Sequence, residues 1–289
     1  MAGAAGGRLT PAGESDILRV ALKAMIDNDI DRSASILAGV ERIAVLTGAG
    51  ISAESGVPTF RGKDGLWKQY RAESLATPEA FERDPALVWQ WYDWRRGLVA
   101  AVEPNAGHRV LAGWEALFAD LTLVTQNVDG LHRKAGSRNV LELHGNIWRT
   151  RCTREGTVRE AHASPLREIP PRCPDCGALL RPDIVWFGEA LDPGTLGRAF
   201  EASAACQAMV VIGTSSVVQP AASLPLRAAA AGAKVIEINP ERTPLTGEVD
   251  LFISGKAGQV LPVLDRALRE RRSRSGRAAG VEQGKDGLR

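Results

Sequence analysis

Six short apolar runs, each about one strand long, constrain the fold of this chain more than any other feature. They are rich in β-branched residues, and Ala-rich helical stretches such as AASLPLRAAAAGA separate some of them. Fully apolar strands that alternate with helices are typical of a parallel sheet covered by helices on both faces. We therefore predict an α/β fold with a doubly wound, parallel, Rossmann-like sheet. The six runs are RIAVLT (42–47), LTLVT (121–125), VLEL (140–143), MVVIG (209–213), KVIEI (234–238) and LFIS (251–254).

Polar or glycine-rich clusters follow all six predicted strands. In a doubly wound sheet, the turns after the strands lie along one edge, where ligands bind. Turn chemistry would explain any one cluster, but turns do not require Gln, His or Asn paired with Asp or Glu. Together the clusters predict a site for one large polar ligand. They are residues 48–50, 126–129, 144–146, 213–216, 239–241 and 255–258.

The first cluster opens the stretch VLTGAGISAESGVPTFRG, residues 45–62. Gly48 and Gly50 permit a tight turn and close approach of the backbone to a pyrophosphate, and Ala53 stands where a dinucleotide fingerprint has its third glycine. A helix begins here, but Gly56 and Pro58 end it after about one turn. The stretch therefore predicts a phosphate-binding turn followed by a segment that folds back over the ligand.

The sequence lacks the acidic ribose ligand that a dinucleotide-binding dehydrogenase carries after its glycine-rich turn. A dehydrogenase would carry an acidic residue about 20 positions further on, at the end of the next strand, to hold the ribose. Here that region is WKQYRAES (67–74), which is not a strand end. Asn239 and Glu241 do end a predicted strand and are better ribose ligands. The sequence therefore predicts a nucleotide site without hydride-transfer chemistry.

Three polar residues at strand ends are candidates for catalysis. His144 ends a strand, so it can face a ribose and act as a general base near neutral pH. Asn127 and Asp129 can hold a carboxamide, one as a donor and the other as an acceptor. Asp129 can also stabilise positive charge that develops at a ribose carbon.

Composition excludes several classes of protein. The 289 residues carry a net charge of +2, which argues neither for nor against nucleic acid, and we expect no specific nucleic-acid partner. No apolar run approaches the length of a membrane span, so no membrane partner is expected. The N-terminus lacks the apolar segment of a secretory signal, and we expect a soluble, cytoplasmic protein.

Two segments do not follow the sheet pattern, and they predict a smaller domain over the ligand edge. One is helical and rich in tryptophan, and the other contains three cysteines. The predicted organisation is a disordered tail (1–14), a Rossmann-like domain (15–61, 119–147 and 183–270), a small domain (62–118 and 148–182) and a basic tail (271–289).

The strand-end motifs together resemble those of a known family. GAGISAESGVPTFRG, TQNVDGLH, HGN, VWFGE, GTSS and INPE follow the order found in the sirtuins, which are NAD-dependent protein lysine deacylases. The resemblance covers about residues 40 to 268. It implies NAD as a consumed co-substrate, an acyl-lysine protein or peptide as the second substrate, and a structural zinc in the small domain.

The resemblance also implies roles for individual residues. His144 is the catalytic base, supported by Asn127 and Asp129. The substrate peptide pairs with Val185, Phe187, Gly188 and Glu189 in the manner of a strand. The residues that contact NAD are Gly48, Ala49, Gly50, Ser52, Ala53, Glu54, Phe60, Arg61, Trp67, Gln126, Asn127, Val128, Asp129, Gly213, Thr214, Ser215, Asn239, Pro240, Glu241 and Ala257.

The mechanism implied by the resemblance uses these residues in sequence. The acyl oxygen of the substrate attacks the ribose carbon, and nicotinamide leaves. His144 then deprotonates a ribose hydroxyl, which attacks the imidate. Water releases the lysine amine and O-acyl-ADP-ribose, and burial of the ribose carbon prevents simple hydrolysis.

The helical insert carries a pair of residues that bears on the acyl group. Tyr92 and Arg95 are three apart, so they share a helix face and could bind a carboxylate. The residues alone equally allow an amphipathic helix with Arg95 on the surface. The pair resembles the signature of class III sirtuins, which implies succinyl, malonyl or glutaryl substrates, and Ala76 matches a small residue that enlarges the acyl pocket.

The cysteines leave the metal question open. The spacing of Cys173 and Cys176 indicates a metal half-site, and Cys152 adds a third ligand. Sirtuins usually carry four cysteines, but Glu155 stands at the position of the fourth. Glu155 or His162 could complete a mixed site, or zinc could be weak or absent. The fourth cysteine, Cys206, is expected to be a core thiol.

Three other functions use the same residues. Plain deacetylation and mono-ADP-ribosyl transfer would need the same NAD site. A non-catalytic module that binds NAD or ADP-ribose would not need a base at the ribose, so His144, Asn127 and Asp129 argue against it.

Overall fold

The described part of the protein, residues 26–58, 66–67 and 70–283 of a computed structural model, contains eleven strands. The six predicted strands are among them, and each differs from its predicted bounds by at most one residue at either end. In chain order the strands are β1 (Arg42–Thr47), β2 (Leu66–Trp67), β3 (Tyr70–Arg71), β4 (Asp120–Thr125), β5 (Val140–Glu142), β6 (Gly145–Cys152), β7 (Val158–Glu160), β8 (Leu180–Ile184), β9 (Ala208–Ile212), β10 (Lys234–Asn239) and β11 (Leu251–Ser254).

Several helices begin at a side chain that caps their first turn. Thr77, Asp84, Asn105 and Asp192 each accept a hydrogen bond from a backbone N–H two or three residues on. Among the described residues, no helix combines the length and hydropathy needed to cross a bilayer. The helices are α1 (26–38), α2 (Gly50–Ala53), α3 (Ala72–Leu75), α4 (Pro78–Arg83), α5 (Pro85–Ala100), α6 (Ala106–Trp114), α7 (Leu131–Lys134), α8 (Pro193–Ala205), α9 (Leu224–Ala230) and α10 (Ala257–Gln283).

The large sheet has six parallel strands in the order β11-β10-β9-β1-β4-β5. The chain moves outward from β1 in one direction, then returns to its other side at β9. This confirms the predicted doubly wound, Rossmann-like sheet. Ligands bind at the carboxyl ends of the strands where the order reverses, which here lies between β1 and β9.

Helices cover both faces of this sheet, which explains why its strands are almost entirely apolar. On one face, Leu37 of α1, Leu111 of α6 and Leu264 of α10 join the sheet in one buried cluster. On the other face, Ala199 of α8 and Leu224 of α9 pack against the opposite side chains of the same strands.

The small domain combines α3, α4 and α5 with an antiparallel sheet of order β7-β6-β8. Its core contains Trp89 and Trp91 of α5 together with Cys152 and Cys173. This confirms the prediction of a smaller insert domain that combines helices with a cysteine-containing part.

The predicted boundary of the small domain at residue 118 differs from the observed packing. Helix α6 packs on the large sheet through Leu111 and Trp114, and the Trp114 indole donates to Asp265 of α10 at 2.9 Å. At the other boundary, Ile184 and Trp186 belong to the small-domain core rather than to the sheet. Helix α6 packs on the large sheet because its apolar face, with Leu111 and Trp114, is buried there. The pattern of strands and tryptophans in the sequence does not identify that face.

Candidate active site

The two glycines of the first turn lie against the turn that follows β9. Gly48 donates its N–H to the carbonyl of Ile212 at 3.0 Å, and Gly50 donates to that of Gly213 at 2.8 Å. A Cβ at Gly50 would lie 2.7 Å from the Cα of Gly213. These positions require glycine because the two turns touch backbone to backbone. The contact joins the predicted phosphate turn to the second half of the nucleotide site.

Helix α2 is a single turn, as the sequence predicts. It ends after Ala53, and Gly56 adopts a left-handed φ of 93°. Glu54, predicted to contact the cofactor, has a partner within the chain. Its carboxylate accepts a hydrogen bond from the N–H of Gly258 at 2.6 Å, at the beginning of α10, where the helix dipole stabilises negative charge.

A buried hydrogen-bonded cluster forms behind this turn. The hydroxyl of Ser52 donates to the Oδ2 of Asp129 at 2.8 Å, and the amide of Asn127 donates to Ser52 at 3.2 Å and to the carbonyl of Gly48 at 3.1 Å. The N–H of Leu131 donates to the other oxygen of Asp129 at 2.9 Å. Burial raises the pKa of Asp129, while these two hydrogen bonds lower it. The structure therefore brings Asn127, Asp129 and Ser52 together.

Two buried histidines extend this cluster, and sequence analysis missed both. The Nε2 of His108 lies 3.4 Å from the Ser52 hydroxyl, and the Nε2 of His132 lies 2.9 Å from the hydroxyl of Thr47. Their rings lie 4.9 Å apart. Burial lowers the pKa of His108 to about 4 and that of His132 well below its ordinary value, so both rings are neutral at neutral pH. His132 stands in the motif TQNVDGLH, which could have identified it.

His144 has the geometry of a general base. Its Nδ1 lies 2.9 Å from the carbonyl oxygen of Gln126. A carbonyl can only accept, so Nδ1 carries the proton and Nε2 is left with a lone pair. Burial lowers the pKa of His144, which keeps the ring neutral near pH 7. The predicted base is therefore in the form that can remove a proton.

Strand β6 of the small domain holds the loop that carries Asp129. The N–H of Ile147 donates to the carbonyl of Val128 at 2.8 Å, and the indole of Trp148 donates to the carbonyl of Asp129 at 3.0 Å. Arg96 is fully buried and donates its Nε to the carbonyl of Ile147 at 2.8 Å. Sequence analysis missed Arg96 and Trp148, since neither belongs to a motif.

The predicted adenosine half of the site centres on Thr214. Its hydroxyl accepts a hydrogen bond from the side-chain amide of Gln126 at 3.0 Å, and its carbonyl accepts one from the amide of Asn239 at 3.0 Å. Pro240 and Glu241 are exposed beside Asn239. The ends of β4, β9 and β10 are thereby joined through one threonine.

Six further residues are predicted to contact NAD, and the structure describes four of them. Ala49 is half-buried before α2, Ser215 is exposed after β9, and Ala257 is buried at the beginning of α10. Trp67 lies in β2, of which the backbone alone is described. The predictions for Phe60 and Arg61 fall outside the described residues.

The predicted peptide segment after β8 is more enclosed than an open strand edge. The N–H of Val185 donates to the carbonyl of His144 at 3.0 Å, and that of Phe187 donates to the carbonyl of Ala76 at 2.9 Å. Gly188 turns the chain with a φ of 88°. The Phe187 side chain is 48% exposed beside these contacts, so it is available to a ligand.

Glu189, predicted to bind substrate, also has partners within the chain. Its carboxylate accepts hydrogen bonds from the N–H of Trp186 and from the Nη2 of Arg181, both at 2.8 Å. The salt bridge and the hydrogen bond lower the pKa of Glu189 against the opposing effect of burial. Within the described residues, Glu189 therefore stabilises the turn that presents Phe187.

Tyr92 and Arg95 lie on one face of α5, next to this segment. Tyr92 is 2% exposed, and its hydroxyl accepts a hydrogen bond from the indole of Trp186 at 2.9 Å. Burial raises the pKa of Tyr92 to about 12, so it keeps its O–H proton. Arg95 is half-buried, with its guanidinium 5.2 Å from the centre of the Trp91 ring. Burial lowers the pKa of Arg95, and the neighbouring Tyr92 hydroxyl and Asp129 carboxylate oppose that effect.

Three cysteines cluster in the small domain as predicted. The sulfurs of Cys152, Cys173 and Cys176 lie within 4.8 Å of one another, and those of Cys152 and Cys176 are 3.5 Å apart. Three convergent thiols fit zinc, which binds thiolates in closed structural sites. These cysteines would hold the ion, and its contribution would be to fold the small domain. Cys206 is a buried core thiol, as expected.

The two candidate fourth ligands both lie outside that cluster. The side chain of Glu155 is exposed, and its carboxylate is not among the clustered ligand atoms of the described residues. His162 pairs with Glu160 at 3.2 Å, and its ring is stacked on that of Trp148.

Known proteins resemble this chain over both domains. A family model described as the Sir2 family matches residues 48–220. An NAD-dependent protein deacylase of Aquifex aeolicus is 56% identical over 229 residues, which are 79% of this chain and 96% of the relative. NAD-dependent protein deacylase 2 of Pyrobaculum aerophilum is 52% identical over 238 residues, 82% of this chain and 95% of the relative.

Solved structures agree with these relatives. A complex of a Sir2 homologue with NAD is 49% identical, has a TM-score of 0.79, and covers 82% of this chain and 93% of its own. The family match spans the glycine turn, the Asn127–Asp129 loop, His144 and the turn after β9. The chain therefore belongs to the Sir2 family of NAD-dependent protein deacylases, the sirtuins.

Proposed function

We propose that this deacylase removes succinyl, malonyl or glutaryl groups from lysine in preference to acetyl groups. The observation that carries the proposal is the pair formed by Tyr92 and Arg95 on α5. Tyr92 accepts a hydrogen bond from Trp186, which precedes Phe187 in the proposed peptide segment, and the charge of Arg95 interacts with that of Asp129. The pair therefore adjoins the reacting centre.

The pair suits a carboxylate for two reasons. A tyrosine hydroxyl that accepts a bond from Trp186 still has an O–H to donate, and the guanidinium of Arg95 offers several N–H donors. A half-buried charge gains most from an ionised partner, because water screens the interaction less there. An acetyl group has no carboxylate to offer, so the same site discriminates against it.

The proposed peptide site uses the segment Val185–Glu189 and the adjacent Ala76. Two relatives support a peptide substrate. One solved Sir2 protein, 34% identical to this chain, is bound to a myristoylated histone peptide, and another, 32% identical, is in complex with a deacetylated p53 peptide. The exposed ring of Phe187 is available to contact such a peptide or its acyl chain.

The proposed catalytic roles follow from the geometry. The chemistry that NAD supplies when bound is an electrophilic ribose carbon with nicotinamide as its leaving group. Asn127 and Asp129 are held rigidly by Ser52 and orient the carboxamide. The free Nε2 of His144 accepts the proton of a ribose hydroxyl. The proposed products are nicotinamide, the lysine amine and O-acyl-ADP-ribose, which accords with a 49% identical relative solved with 2'-O-acetyl-ADP-ribose.

The test compares nicotinamide release on succinyl-, malonyl- and acetyl-lysine peptides of one sequence. The wild-type protein is compared with Arg95→Met, which keeps the length and apolar character of the stem. A hydrogen bond to a charged group contributes about 1.5–3 kcal/mol, so we expect kcat/KM for succinyl to fall about 10- to 100-fold. Deacetylation should change little. Arg83→Met, at an exposed arginine at the end of α4, is the matched control.

Two results would count against the proposal. An equal loss on all three peptides in Arg95→Met would mean that the arginine supports the fold or the NAD site instead. A wild-type preference for acetyl would indicate a plain deacetylase. Tyr92→Phe is a poorer test, because it also leaves the buried indole N–H of Trp186 without its acceptor.

A further inference from the structure

The cysteine cluster is built from two turns of the same form. In the first, the N–H of Gly156 donates to the carbonyl of Cys152 at 3.0 Å, and in the second, the N–H of Gly177 donates to that of Cys173 at 2.9 Å. The two glycines adopt nearly equal left-handed φ values of 69° and 71°. Each turn is therefore a five-residue loop that begins with a cysteine and ends with a glycine.

A second pair of hydrogen bonds repeats between the two turns. The N–H of Cys152 donates to the carbonyl of Thr157 at 2.9 Å, and the N–H of Cys173 donates to that of Ala178 at 2.8 Å. Both turns are closed at the same two places by the same bonds. Position by position, Glu155 in the first turn corresponds to Cys176 in the second.

The first turn also presents its cysteine in the way a metal ligand requires. The N–H of Glu155 points at the sulfur of Cys152, with a separation of 3.5 Å. Backbone N–H groups directed at a cysteine sulfur stabilise its negative charge. The backbone at residue 155 is thus arranged around the sulfur although its side chain is not a thiol.

We propose that Glu155 is the fourth ligand of a zinc site whose other ligands are Cys152, Cys173 and Cys176. Structural zinc is four-coordinate, and carboxylate oxygen is one of its ordinary ligands. The carboxylate is exposed in the described conformation, so this assignment requires its side chain to rotate inward when the metal binds. His162 lies outside the repeated turns, where it pairs with Glu160 and stacks on Trp148.

This assignment predicts how the site responds to substitution. Glu155→Gln keeps the size of the side chain but replaces a charged ligand with a neutral one. We expect the dissociation constant for zinc to rise by about 10- to 100-fold, the range seen when support for a metal site is lost. Glu155→Cys completes a four-thiolate site and should bind zinc more tightly than the wild-type chain.

The experiment measures metal binding on the full chain, without reference to catalysis. Zinc affinity is determined by competition with a chromogenic chelator, and the cobalt(II) form is examined by absorption spectroscopy. Sulfur-to-cobalt absorption should be unchanged in Glu155→Gln and stronger in Glu155→Cys, because only the latter adds a thiolate. Glu160→Gln, at an exposed neighbouring carboxylate, is the matched control and should behave as wild type.

Zinc content of the proteins as purified provides a second measurement if a metal-free form does not stay folded. A lower zinc content in Glu155→Gln than in Glu160→Gln would support the proposal. Equal zinc affinity for wild type and Glu155→Gln would overturn it, and would assign the fourth position to solvent. Absence of zinc from the wild-type protein, with no uptake on addition, would also overturn it.

Discussion

The contact between the turns after β1 and β9 predicts a severe effect of adding one methyl group at Gly50. A Cβ there would lie 2.7 Å from the Cα of Gly213 and 2.8 Å from its carbonyl oxygen. Both are backbone atoms, so no side chain can rotate away. Because Gly50 also donates to that carbonyl at 2.8 Å, Gly50→Ala would push apart a hydrogen-bonded pair.

The magnitude follows from two contributions. Forcing extra volume into a packed site costs about 1–3 kcal/mol, and a weakened backbone hydrogen bond adds about 1 kcal/mol. We therefore expect Gly50→Ala to lower the free energy of unfolding by about 2–4 kcal/mol, a large part of the 5–15 kcal/mol typical of a domain. It should also raise KM for NAD, since the same turn forms the predicted phosphate site.

Gly97 provides the matched control because replacing it with alanine should raise the free energy of unfolding rather than lower it. It lies on the exposed face of α5, and a Cβ at this position would meet no described atom within 4 Å. Alanine is about 1 kcal/mol more favourable than glycine within a helix, so Gly97→Ala should stabilise the protein. Urea denaturation followed by circular dichroism measures both variants. A Gly50→Ala protein as stable as Gly97→Ala would refute the reasoning.

Three further predictions rest on the buried residues of the site. In the pH profile of kcat/KM, the acidic limb should have its midpoint below pH 6.5, because burial lowers the pKa of His144 and the base stays unprotonated at lower pH. A midpoint above 6.5 would contradict this. The pKa values of His108 and His132 in the folded protein lie below 6.5, so the unfolded chain binds more protons than the folded chain below that pH. The free energy of unfolding, measured by urea denaturation, should therefore fall as the pH drops from about 6.5 towards 4. In His108→Asn this fall should be smaller. Trp148→Phe removes one hydrogen bond to the Asp129 loop but keeps an aromatic ring. It should therefore lower kcat while reducing the free energy of unfolding by only about 1 kcal/mol. An unchanged kcat would show that the loop does not need that bond.

The six strands of the large sheet could be predicted because each is a short apolar run with a polar end. In a parallel sheet covered on both faces, burial decides the residues, so β1, β9 and β10 are visible in the sequence. The residues at the strand ends, such as Asn127 and His144, could be predicted because a turn alone does not require an Asn paired with Asp or a His.

Other features depend on tertiary contacts that leave no local pattern. Helix α6 belongs to the large sheet because Leu111 and Trp114 pack there, and no spacing in the sequence names that partner. His108 reaches Ser52 from a helix more than 50 residues away. Glu54 and Glu189 stand within motifs, but the hydrogen bonds that their carboxylates accept from Gly258 and Trp186 could not be predicted from those motifs.

The products formed from NAD and a succinyl-lysine peptide test the central claim most directly. Mass spectrometry of the complete reaction should find nicotinamide, deacylated peptide and O-succinyl-ADP-ribose in equal amounts, and His144→Ala should not accumulate the last two. ADP-ribose attached to the peptide would indicate a transferase instead. Binding of NAD with no nicotinamide released on any acyl peptide would contradict catalysis altogether.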